Sequence, residues 1–188
     1  MSVTLSGEFS PVKLIRMNTK EIYFAGGCFW GTEHFFKMIQ GVTATEVGYA
    51  NGHEADPTYE QVCTDRTGFA ETVRVVYDPA LTPLRFLVEM FFKAIDPLSV
   101  NRQGHDTGTQ YRTGVYYTDP ADRDAIAEVF DRQTQRLGQP LAVELLPLQN
   151  FYTAEDYHQD YLDKNPAGYC HLPIALFEMA KKAKPGKP

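Results

Sequence analysis

The chain has 188 residues and 21.2 kDa, with 43% hydrophobic and 22% charged residues. That is the composition of one ordinary globular domain and excludes a disordered chain, a collagen-like fibre and a long coiled coil. Eighteen Lys and Arg against 24 Asp and Glu leave a net charge of −6, which disfavours nucleic-acid binding, and no apolar run is long enough for a membrane span.

Residues 1–19 read as a loose leader without the apolar stretch of a secretory signal, so the expected location is the reducing cytoplasm. The last nine residues, AKKAKPGKP, read as a solvated tail. Residues 20–26 predict a buried strand, and Gly26-Gly27 a sharp turn. A helix is predicted from Cys28, or just after it, to Ile39, with Thr32, Phe35, Phe36 and Ile39 on one face. A strand over 43–50, a short helix over 57–64 and a strand over 71–77 follow. Thr82 is expected to cap a helix that has Pro83 at its first position and ends at Asp96-Pro97. Residues 99–113 read as a long polar functional loop, and 114–118 as a strand. A helix runs from Asp119-Pro120 to Gly138, and residues 142–149 predict an edge strand interrupted by Pro147. A short helix near 155–162, an irregular stretch and a last short helix complete the chain. The pattern predicts a single α+β domain: a two-layer α/β sandwich, ferredoxin-like, with a mixed or antiparallel central sheet.

Three cysteines without CxxC or zinc spacing argue against a structural disulfide framework. Cys28 follows a strand and a glycine turn at a helix start. The helix dipole and free N–H groups there favour a thiolate and a lowered thiol pKa, although a buried, inert cysteine fits the same local pattern. Cys170, in a Pro/Gly-framed segment, is either a second redox thiol or an idle exposed one. Cys63 is expected to be buried and inert. Glu71, if buried beside aromatics, would stay protonated and act as a proton donor; otherwise it is a strand-end acid. Asp106 between two glycines reads as a turn residue, and Tyr59 and Tyr111 as amphipathic packing. The five histidines form no metal-ligand pattern and are expected at the surface or in supporting positions.

Taken together, these residues resemble the A-class peptide methionine sulfoxide reductases. The blocks are Gly27-Cys28-Phe29-Trp30-Gly31, Gly48-Tyr49 with Pro57-Thr58-Tyr59, Thr67 to Glu71, Asn101 to Arg112, Ala154 to Gln159, and Lys164-Asn165-Pro166 with Gly168-Tyr169-Cys170. Phe69 and His105 depart from the residues common in that family. The resemblance implies reduction of methionine-S-sulfoxide, free or in proteins, with no metal and no organic cofactor. Cys28 would be the nucleophile and Glu71 the acid. Tyr59 and Tyr111 would bind the sulfoxide oxygen, and Phe29 and Trp30 would form the methyl pocket. Asp106 would orient the substrate, Cys170 would resolve a sulfenic acid on Cys28, and thioredoxin would be the reductant of a monomer. Two other readings compete: a Cys–His hydrolase with His53 or His105 as base, and a non-catalytic redox switch built on Cys28 and Cys170.

Overall fold

The structure, a computed structural model, describes residues 18–186. The expected leader, apart from Asn18 and Thr19, and the final two residues lie outside the described residues. Strand β1 (Lys20–Gly26) leads into helix α1 (Phe29–Lys37), then β2 (Val42–Ala50), the short α2 (Tyr59–Val62), β3 (Ala70–Tyr77) and α3 (Leu84–Ala94). A two-stranded ribbon, β4 (Arg102–Gln103) and β5 (Asp106–Thr107), precedes β6 (Thr113–Tyr117), α4 (Arg123–Leu137), β7 (Glu144–Pro147) and β8 (Phe151–Thr153). The short α5 (Tyr161–Lys164) and α6 (Ile174–Lys182) end the chain. Among the described residues no helix is long and apolar enough to cross a membrane.

The main sheet has the order β7-β6-β1-β3-β2-β8. Its pairs are antiparallel except β6–β7, which is parallel, so the sheet is mixed. The strands β6-β1-β3-β2, with α1 after β1 and α3 after β3, form the β-α-β-β-α-β arrangement of a ferredoxin-like fold. Period-two alternation explains the two faces. From β1, Ile22 and Phe24 join the main core under the helices, while Tyr23 and Ala25 face the other side with Ala50, Ala70 and Tyr116. Only Leu148, Gln149 and Asn150 separate β7 from β8, a reach of about 14 Å across what would be about 24 Å in a flat sheet. The sheet is therefore strongly curled, and Leu148 and Phe151 close its second face.

Several local expectations are corrected. Thr82 does not cap α3: Pro83 is the N-cap residue, and the Thr82 hydroxyl donates to the Gln40 carbonyl at 2.5 Å. The 99–113 segment is not featureless. Gln103 is 3% exposed, and its amide donates to the Asp96 carbonyl while accepting from the Asp96 N–H, both at 2.8 Å, which pins the β4–β5 ribbon. The strand read over 142–149 is shorter and is followed by β8 on the opposite edge. The helix read near 155–162 is displaced to Tyr161–Lys164, and α6 extends into the expected tail, with Ala180 fully buried.

Candidate active site

Gly27, at φ +82°, turns the chain from β1 into α1. A side chain here would also strike Gln103, since an added Cβ would fall 2.6 Å from its Cβ. The turn leaves Cys28 as the N-cap residue of α1, 6% exposed. Thr32, one turn on, donates its hydroxyl to the carbonyls of Gly26 and Cys28 at 3.1 and 3.2 Å and locks the turn.

The helix start does not make this thiol acidic. The Trp30 and Gly31 N–H groups pull its pKa down, but burial, then the nearby Glu71 carboxyl, push it well above the ordinary cysteine value. The expected lowering is therefore reversed, because loss of hydration outweighs one helix dipole. In the resting protein Cys28 is a neutral thiol.

Glu71 enters the site from β3, opposite Tyr49 in the ladder. It is 1% exposed, and its Oε2 accepts the Phe29 N–H at 3.0 Å. Burial, assisted by the Asp106 charge, raises its pKa to about 8 against the pull of that N–H. It is therefore mainly a neutral carboxyl at pH 7, and with Oε2 occupied as an acceptor, Oε1 is the seat for its proton. Tyr59, at the start of α2, and Tyr111, at the end of a 3-10 turn, are both half-buried. Burial holds both phenols firmly protonated, so they are donors.

Around these lies a framework that local sequence reading had missed. Glu155 accepts the Tyr59 N–H at 2.8 Å through one oxygen and the Tyr49 hydroxyl at 2.7 Å through the other. It thereby anchors α2 beside the site. Gln159 bridges the Val47 N–H and carbonyl, fastening the same segment to β2. His158 is 1% exposed and takes the supporting place, rather than the surface place, that the histidine reading left open. Its Nδ1 accepts the Trp30 indole N–H at 3.0 Å, which assigns the ring proton to Nε2. Burial keeps this ring neutral by lowering its pKa. Trp30 stacks on Tyr161 at 3.7 Å, whereas Phe29 is 1% exposed and packs against Tyr49 and His158. Trp30 is thus the accessible face of the aromatic wall, and Phe29 backs it.

The C-terminal segment folds over Cys28. Tyr169 donates its hydroxyl to Asp106 Oδ1 at 2.9 Å. Cys170 Sγ lies over Gly31, 3.0 Å from where a Cβ would stand, and the His171 ring lies 3.1 Å from the same point. Sulfur of Cys28, a carboxylate oxygen of Asp106 and a ring nitrogen of His171 lie within 4.8 Å of one another. His171 is therefore a site residue, not a surface one. Cys170 is half-buried and more open than Cys28. Cys63 is exposed, not buried as expected, because it falls at the end of the short α2. His53 and His105, the bases of the hydrolase reading, are exposed and outside the donor group around Cys28.

The family described as peptide methionine sulfoxide reductase matches residues 20–187. The chain belongs to that family. It is 55% identical over 159 residues to the peptide methionine sulfoxide reductase MsrA of Clostridium acetobutylicum, covering 85% of this chain and 98% of the relative. Among solved structures, reduced Mxr1 from Saccharomyces cerevisiae is similar at a TM-score of 0.77 and 41% identity, covering 87% of this chain and 92% of Mxr1. Mxr1 in complex with Trx2 is similar at a TM-score of 0.55 and 27% identity, covering 83% and 90%. Phe69 is 1% exposed and packs edge-on to Tyr152, and His105 sits at the tip of the exposed ribbon.

Proposed function

We propose that the chain reduces methionine-S-sulfoxide, free or in proteins, with Cys28 as oxygen acceptor. The observation that carries this reading is Glu71, a neutral buried acid held beside Cys28 by the Phe29 N–H. The sulfoxide oxygen takes hydrogen bonds from Glu71 Oε1–H, Tyr59 and Tyr111. Withdrawing electron density through that oxygen makes the sulfoxide sulfur electron-poor and assists ionisation of the adjacent thiol. Cys28 sulfur attacks the sulfoxide sulfur, and Glu71 protonates the departing oxygen as a general acid. The attack forms a transient S–S bond. The S–O bond then breaks as the OH passes to the Cys28 sulfur, the S–S bond breaks with its electron pair staying on the methionine sulfur, and the thiol proton replaces the one Glu71 gave. Methionine leaves with two electrons gained, and Cys28 is left as a sulfenic acid. Trp30, backed by Phe29, supplies the apolar wall for the methyl group, and Asp106 orients the substrate main chain.

Cys170 then attacks the sulfenic sulfur, forming a Cys28–Cys170 disulfide and releasing water. The greater exposure of Cys170 supports it as the sulfur an outside dithiol attacks. The solved Mxr1–Trx2 complex supports thioredoxin as that dithiol. The cycle needs no metal or organic cofactor, and a monomer in a reducing cytoplasm suffices for it. Incubation with each epimer of a methionine sulfoxide plus dithiothreitol tests the reading. Methionine from the S epimer alone is expected. Reduction of the R epimer instead, or of neither, would overturn it, and hydrolysis of an ester would restore the hydrolase.

A further inference from the structure

The proposed cycle leaves His171 without a task. Its ring lies across the start of α1, yet neither nitrogen makes a hydrogen bond of ordinary geometry, and both are buried. Oδ2 of Asp106 is likewise buried without a partner, while Oδ1 is held by Tyr169. Buried polar atoms left unpaired cost about 1–3 kcal/mol each, and here they converge on one thiol. Among the described residues, Cys28, Asp106 and His171 are the one group of three or more His, Cys, Asp and Glu side chains with donors this close together.

We propose that the reduced protein binds one divalent cation of the zinc class through Cys28 Sγ, a carboxylate oxygen of Asp106 and a ring nitrogen of His171, and that the bound cation reversibly blocks the catalytic thiol. The ligand set fits the ion. One thiolate, one imidazole and one carboxylate suit zinc better than magnesium or calcium, which prefer all-oxygen shells. Bond lengths of about 2.0–2.3 Å place tetrahedral ligands roughly 3.5 Å apart, so donors within 4.8 Å need close by only about 1 Å. The outer partners are also in place: Tyr169 fixes the carboxylate, and the Gly26 carbonyl lies beside the imidazole. Three protein ligands leave the fourth position to water. Binding exchanges the thiol proton of Cys28 for a metal–sulfur bond and releases that proton to solvent. No electrons move, so a chelator restores the thiol. With its sulfur lone pair engaged, Cys28 cannot attack a sulfoxide.

The cation binding does not depend on the catalytic cycle, because it concerns the resting thiol alone; the blockade of turnover rests on the proposed function, and the Co2+ spectrum separates the two. The test titrates reduced, reductant-free full-length protein with Co2+ under anaerobic conditions. One equivalent is expected to produce a near-ultraviolet sulfur-to-cobalt charge-transfer band with visible tetrahedral bands, and Zn2+ should displace it. The charge-transfer band should vanish in Cys28→Ser and persist in Cys63→Ser and Cys170→Ser. His171→Asn and Asp106→Asn should each weaken Zn2+ binding by at least about tenfold. Wild-type turnover should fall with one equivalent of Zn2+ and return with EDTA. A wild-type protein that gives no saturable band overturns the proposal whatever the variants do. So does a band that survives in Cys28→Ser, or Zn2+ affinity unchanged in folded His171→Asn.

Discussion

Replacing Glu71 with Gln should stabilise the fold while crippling the chemistry. The buried carboxyl has a pKa of about 8 in the folded chain against an ordinary value of 4.5. Above pH 4.5 the unfolded chain releases this proton, but the folded chain keeps it until about pH 8. Folding stability from this group is therefore whole below pH 4.5 and falls by about 1.4 kcal/mol per pH unit between the two values. At pH 7 the cost reaches roughly 3 kcal/mol, and above pH 8 it levels near 5 kcal/mol. Glutamine cannot ionise, and its carbonyl oxygen still accepts the Phe29 N–H. Urea unfolding of both proteins from pH 5 to 8.5 should show Glu71→Gln gaining on the wild type with that slope. Single-turnover methionine formation should drop by about 10²–10⁴ in the variant. The wild-type rate should also fall above pH 8 as Glu71 ionises. A stability difference that ignores pH would show that Glu71 is already charged in the fold, and the acid role would go with it.

Gly31→Ala places a methyl group 3.0 Å from Cys170 Sγ and 3.1 Å from the His171 ring, so both side chains must give by a few tenths of an ångström and the Cys170 sulfur is pushed from its place over α1. Methionine release in a single turnover should stay within about threefold, while disulfide formation slows and the sulfenic acid accumulates for trapping by dimedone. Disulfide formation at the wild-type rate would refute the close approach. Thr32→Val removes the hydroxyl that ties the Gly26 and Cys28 carbonyls and should cost about 1–2 kcal/mol in urea unfolding. An unchanged midpoint would mean the turn holds without it.

The frame of the fold was legible where periodicity and punctuation agree. Gly26-Gly27 between an apolar run and Phe35-Phe36 marks a strand, a turn and a helix, and Val73, Val75 and Tyr77 before Asp78-Pro79 mark β3. What stayed hidden depends on distant partners. Strand β8 has three residues and exists because Gly48, Tyr49 and Ala50 offer it an edge. The ribbon at Asp106 is ordered by Gln103 grasping the Asp96 backbone. The thiol shows the same division: the helix N-terminus is a local feature, but the burial that overrides it is made by elements far along the chain. His171 carried no local signal, since it reaches Cys28 only when the C-terminal segment folds back over α1. The six motif blocks pointed to Tyr59, Tyr111 and Asp106 where residue chemistry taken alone read packing and a turn.

The division of labour between the two sulfurs is tested most directly by the Cys170→Ser variant mixed with the S epimer alone. One methionine per protein chain is expected, with a dimedone adduct on Cys28, none on Cys63, and no further product when thioredoxin is added. Sustained turnover of this variant with thioredoxin, or an adduct on any other sulfur, would contradict the account.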